Sequence, residues 1–193
     1  MNRKRRVTFN APLVLCFTIL CTAATLLGSI FGQNSTAMLF ATYSSSLSDP
    51  LTYVRLFTHV LGHAGLTHLL GNMSFILLLG PALEEKYGWK RLLAVILTTA
   101  FVTGVIHNLF FSHSMLLGAS GVVFAFILLT SFTEFREGEI PLTFILVAAI
   151  YLGQQIWDAA TVRDHVSNLS HILGGLVGSC AGYLLNIRQT KRF

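Results

Sequence analysis

Six apolar stretches separated by polar gaps run along the chain, over residues 11–31, 64–79, 92–110, 115–132, 140–156 and 166–187. Most approach the roughly 20 residues that a helix needs to cross hydrocarbon. The pattern predicts an all-α polytopic membrane protein, a bundle of six transmembrane helices. The connection over 32–63 breaks the rhythm. It holds a Ser-rich run at 44–48, then Asp49 and Pro50, then Tyr53, Leu56 and Phe57. It is too apolar for a disordered linker and is predicted to pack, partly helical, at the outer interface. This division leaves a cytoplasmic tail over 1–10, a membrane core over 11–187 and a second cytoplasmic tail over 188–193.

Composition sharpens the picture. Asp, Glu, Lys and Arg make up 11% of the 193 residues, against roughly 25% in soluble domains. Hydrophobic residues make up 53%, and mean hydropathy is +0.68. Six spans with their connections use nearly all the sequence, which excludes a large soluble catalytic domain. The net charge of +5 is not gathered into a nucleic-acid footprint. It falls in gaps on one side: Arg3, Lys4, Arg5 and Arg6, then Lys86, Lys90 and Arg91, then Arg136, then Arg188, Lys191 and Arg192. Only Arg55 and Arg163 fall opposite, so the positive-inside rule puts both termini in the cytoplasm. A retained first helix is read after the basic cluster, not a cleaved signal. Cys16, Cys21 and Cys180 lie in apolar runs and form no CxxC pair.

Against that background the intramembrane polar residues stand out: His68, Asn72, Ser120 and His171. Groups at such depth are costly and are functional hypotheses by default. The second, fourth and sixth spans run in the same direction. A rise of 1.5 Å per residue puts His68, Ser120 and His171 roughly 6–8 Å below the outer surface. Asn72 lies one turn deeper on the face of His68. A serine and a histidine at one depth suggest nucleophilic catalysis, the neutral imidazole taking the hydroxyl proton. No Asp or Glu lies in these three spans near the layer, so a Ser120–His171 dyad is the simpler arrangement. Gly118 and Gly121 flank Ser120 and would admit substrate backbone and offer N–H groups to a developing oxyanion. His68, Asn72 and the Ser120 N–H would complete that set. Ser170, Gly174, Gly178 and Gly182 recur every fourth residue and predict close helix approach.

These residues form a recognisable set. His59, His63, His68 and Asn72 follow the pattern HxxxHxxxxHxxxN; Gly118, Ala119, Ser120 and Gly121 form GxSG; His171, Gly174 and Gly178 form HxxGxxxG. Gly80, Glu84, Glu85 and Gly88 fit a G…E…G turn. In order, the motifs resemble the rhomboid intramembrane serine proteases in their compact bacterial six-helix form, over about residues 10–188. The resemblance implies an intramembrane serine endopeptidase of a bacterial plasma membrane. Ser120 would be nucleophile and His171 base, with His68 and Asn72 binding the oxyanion. It implies cleavage of transmembrane protein substrates near their outer ends, membrane lipids as surroundings, and no metal or cofactor. Substrate access would involve residues 32–55 and 141–164. Two positions depart from the family pattern. Val54 precedes Arg55 where Trp is common, and Phe124 stands where many members have Tyr, still able to stack on His171.

Other readings are separable. A silent rhomboid-like protein that binds transmembrane clients would typically lack the nucleophile or base, both present here. A small transporter would show paired repeats or broken helices, and neither is apparent. His59 and His63 could ligate zinc if helical but lack a third ligand, so hydrogen bonding in the lead-in is expected. Glu84 or Glu85 is expected to accept from N–H groups of the turn before the third span. His107, Asn108, His113 and His165 read as interfacial. Gln154 and Gln155 read as solvated or loop-bonded, and Trp89 and Trp157 as belt residues at opposite interfaces.

Overall fold

The computed structural model describes residues 8–111, 113–132, 142–161 and 165–190. They form eight helices in chain order: α1 (Pro12–Phe31), α2 (Gln33–Phe40), α3 (Pro50–Thr58), α4 (Leu66–Tyr87), α5 (Trp89–Phe110), α6 (Ser120–Ser131), α7 (Leu142–Thr161) and α8 (His165–Thr190). The architecture is all-α. Among the described residues, α1, α4 and α5 are long and apolar enough to cross a membrane, while α6, equally apolar, has 12 residues. Arg3, Lys4, Arg5, Arg6, the loop 134–139, Arg163, Lys191 and Arg192 lie outside the described residues. Of Gln154, Gln155, His165 and Arg188, only the helix they belong to is described.

The interior and the outer surface are both apolar. Phe126, Ile76, Leu83, Leu92 and Leu129 are fully enclosed at the meeting of α4, α5 and α6. Yet Ile30, Leu78 and Leu109 are more than 70% exposed. Helices apolar on every face suit a hydrocarbon surrounding, where only the backbone requires internal pairing.

Several joints explain the arrangement. No side chain of its own caps α1. Its first-turn N–H groups at Leu13 and Val14 instead donate to the two carboxylate oxygens of Glu84, 3.0 Å each. These are donors that a helix start leaves open, and a carboxylate there also meets the positive end of the helix dipole. The expected role for Glu84, holding the turn before α5, is therefore corrected. Only its backbone carbonyl accepts from Gly88 N–H, at 2.9 Å, while its side chain fixes α1. Gly88, at φ +82°, makes the tight junction from α4 to α5.

The connection over 32–63 packs and is partly helical, as expected. Asp49 caps α3 through Leu51 N–H at 3.0 Å, with Pro50 preset at the first turn. Arg55 is buried. It donates to the Met38 carbonyl at 2.7 Å, pairs with Asp49 at 3.3 Å and lies over the Tyr43 ring. Arg55 thus ties α2 to α3 without an adjacent Trp.

The fourth apolar run is not helical throughout. Thr42 and Leu116 exchange backbone hydrogen bonds of 2.9 Å in an isolated bridge, and the helix begins only at Ser120. Ser120 is the first residue of α6, not five residues into a span. The bridge pairing of Leu116, followed by the φ of +123° at Gly118, keeps 115–119 out of the helix.

Candidate functional site

The turn that delivers Ser120 is held from below by the 59–63 segment. Gly118 N–H donates to the His59 carbonyl at 2.9 Å. Ala119 N–H donates to His63 Nε2 at 3.4 Å, while His63 Nδ1 stands 3.1 Å from the Leu61 carbonyl. A carbonyl only accepts, so Nδ1 carries the hydrogen and Nε2 offers its lone pair: one neutral tautomer satisfies both contacts. His59 Nε2 stands 3.0 Å from the Ala100 carbonyl, joining this segment to α5. Burial lowers both pKa values to about 4, helped at His63 by the nearby His68. These histidines perform the hydrogen bonding expected of them, and the partner they share is the approach to Ser120. Among the described residues no cluster of three or more His, Cys, Asp or Glu is placed to hold a metal.

Gly118 is needed for two reasons. Its φ is positive, and a Cβ there would sit 2.7 Å from His68 Cε1 and 2.9 Å from Nε2. The predicted use of its N–H for an oxyanion is corrected, because that donor is taken by His59. Ser120, by contrast, begins a helix whose first intrahelical bond runs from Val123 N–H to the Ala119 carbonyl, 2.9 Å. The N–H groups of that first turn, including Ser120's, have no carbonyl one turn back.

From α4, His68 and Asn72 stand one turn apart. Asn72 is buried, and its Nδ2 has no hydrogen-bond partner among the described residues. A buried donor left open is uncommon and points to a site for an acceptor. From α8 comes His171, whose ring lies 4.4 Å from that of Phe124 at 43°. The expected ring contact is present without a tyrosine hydroxyl. The register of α8 follows from its small residues. A Cβ on Gly174 would stand 2.8 Å from the Gly121 carbonyl carbon, and one on Gly178 would stand 2.7 Å from Ala125 Cα. Close backbone contact with α6 therefore fixes His171 one turn before Gly174.

His68, Asn72, Ser120 and His171 all line one cavity of about 700 Å³, with Thr67 and Gly71. Phe75, Val123, Val147 and Ile150 supply apolar walls from α4, α6 and α7. A hydroxyl, an imidazole and an open amide donor thus face one space large enough for a peptide segment.

The Rhomboid domain profile matches residues 50–188, most of the chain, and the chain belongs to the rhomboid family. It is similar to three proteins of Arabidopsis thaliana. It is 32% identical to RHOMBOID-like protein 6, mitochondrial, over 68% of this chain and 43% of that protein. For RHOMBOID-like protein 2 the identity is 32%, over 65% and 40%. For RHOMBOID-like protein 1 it is 31%, over 69% and 35%. The chain spans about two-fifths of the length of these curated relatives.

Two expectations are corrected by this finding. The resemblance to the compact bacterial form and the assignment to a bacterial plasma membrane are overturned because the similar proteins just named are plant proteins, one of them named as mitochondrial. The physical reason is that apolar runs and loop charges distinguish the two sides of a bilayer, not which bilayer it is.

Proposed function

We propose that the chain is an intramembrane serine endopeptidase that crosses the bilayer six times and hydrolyses peptide bonds of transmembrane protein substrates. Membership in the rhomboid family supports proteolysis in general. The observation that carries the finer reading is the shared cavity of Ser120, His171, His68 and Asn72, whose buried Nδ2 has no partner among the described residues.

In this reading, Ser120 Oγ attacks the scissile carbonyl carbon while His171 takes the hydroxyl proton. The oxyanion that forms is met by the Ser120 N–H, Asn72 Nδ2 and His68. Collapse expels the amine of the new N-terminus, which takes the proton from His171 and leaves an ester on Ser120. Water then attacks that ester, giving one proton to His171; collapse breaks the ester bond, His171 returns that proton to Ser120 Oγ, and the released acid ionises to the carboxylate product. Gly118, Gly121 and Gly174 permit the close approaches that set the geometry, and Phe124 orients the His171 ring. Val147 and Ile150 line the cavity from α7, which in this reading borders the path of substrate from lipid.

The test is cleavage of a model transmembrane substrate by the full chain in proteoliposomes. Wild type should cleave and Ser120→Ala should not. Equal cleavage by both would dismiss the assignment.

A further inference from the structure

A second depression lies away from the serine cavity, between α5 and α8. It encloses about 570 Å³ and is walled almost wholly by apolar atoms, among them those of Val95, Val102, Leu173 and Leu184. Thr98 lines it midway, and at one end the charged Arg91 joins the lining. None of its lining residues borders the serine cavity.

The ends of the groove are fixed by contacts. Tyr87, next to the start of α5, donates from its hydroxyl to Asn186 Oδ1 at 3.4 Å, so the start of α5 and the end of α8 share one side. Gly121 faces both Thr103 and the Ser170 carbonyl, so the other end of the groove lies toward the Ser120 layer. From Arg91 to Val102 the groove follows α5 for eleven residues, roughly 16 Å at the helical rise. One leaflet's share of the hydrocarbon is about 15 Å. The groove therefore begins at a cation and ends near mid-bilayer.

The surroundings of Arg91 agree with headgroup depth. Trp89 is exposed two residues earlier, and Lys90 Nζ lies 5.5 Å from the Trp89 ring centroid. Among the described residues neither Arg91 nor Lys90 has a carboxylate at ion-pair distance. Hydrocarbon would fill such a groove in any membrane; an unpaired guanidinium at its mouth selects what is attached to that hydrocarbon.

We propose that this groove is a binding site for an anionic glycerophospholipid of the leaflet on the Arg91 side, one acyl chain lying between α5 and α8 and the headgroup paired with Arg91. The inference rests on α5 and α8 spanning the bilayer and is independent of the chemistry at Ser120.

Trp89 is the probe. In a Trp157→Phe background, the full chain is placed in equimolar phosphatidylcholine and phosphatidylglycerol vesicles, with either lipid brominated in its chains. Wild type should show about fivefold preferential quenching by brominated phosphatidylglycerol, the effect of about one basic residue near the surface. Arg91→Gln should bring the preference close to unity, and Arg91→Lys should keep most of it. Cys180→Phe, which fills the groove and leaves Arg91 in place, should also remove it. In wild type, about 1 M salt, where the Debye length is roughly 3 Å, should weaken it without any mutation. Equal quenching by the two lipids in wild type overturns the proposal. So does a preference that survives Arg91→Gln or salt, and one that survives Cys180→Phe reduces the site to surface charge.

Discussion

Replacing Gly174 by alanine puts a methyl group into the contact that registers α8 against α6. Its Cβ would stand 2.8 Å from the Gly121 carbonyl carbon and 2.9 Å from Gly121 Cα, where ordinary contact begins at 3.4 Å. These are backbone atoms, which no rotamer change can move. The Gly121 carbonyl oxygen is met closer still, so the helices must separate by about 1 Å at the level where Gly121 follows Ser120 and His171 precedes Gly174 by one turn. Overpacking of this kind costs about 1–3 kcal/mol. A misplacement of about 1 Å between reacting groups can cost about 100-fold in rate. Gly174→Ala should therefore lower kcat on a transmembrane substrate about tenfold or more, with a smaller change in KM, and lower the melting temperature. Gly153→Ala is the control, since a Cβ there meets nothing within 4 Å. Kinetics in proteoliposomes and thermal melts of both variants check this. A Gly174→Ala protein with wild-type kcat and melting temperature would refute the claim that this contact sets the site.

Three further outcomes follow from the same geometry. His171→Ala should nearly abolish turnover, whereas Asn72→Ala should keep a measurable rate, since one lost oxyanion donor costs about 3–4 kcal/mol at most; a greater loss at Asn72 in the same cleavage assay would mean the roles are exchanged. Glu84→Ala removes the acceptors of two α1 N–H groups and should destabilise by roughly 2 kcal/mol or more; wild-type melting in that variant would show that α1 needs no such partner. His59, buried and held to about 4 from an ordinary 6.5, stays neutral in the folded protein over a range where the unfolded chain takes up a proton. Its contribution is full above pH 6.5 and is lost as pH falls toward 4, on the order of 3 kcal/mol. Unfolding midpoints followed across that window should fall in wild type and fall less steeply in His59→Phe, where His63, held to about 4 as well, keeps its own share of the slope.

Long apolar runs announced the helices, and four costly polar residues announced the cavity, because both are local properties of composition and spacing. His68, Asn72, Ser120 and His171 come from three helices and line one space, as the shared layer led one to expect. What stayed hidden depends on distant partners. Glu84 meets α1 across some seventy residues, and no local pattern identifies that partner. His63 was visible in the HxxxH spacing, yet its bond to Ala119 depends on a turn 56 residues away. Met115, Leu116 and Leu117 read as helix because a short apolar run has no period of its own. The backbone hydrogen bonds between Leu116 and Thr42 decide that the helix starts later. Membership in the family was legible in motif order; the membrane that houses the chain was not.

In the proposed mechanism Ser120 is a nucleophile activated by His171. The most direct measurement is labelling of the purified full chain with a fluorophosphonate, followed by mass mapping of the adduct. One adduct is expected, on Ser120, lost in Ser120→Ala and strongly slowed in His171→Ala. An adduct on another residue, or labelling of Ser120 at an unchanged rate without His171, would contradict it.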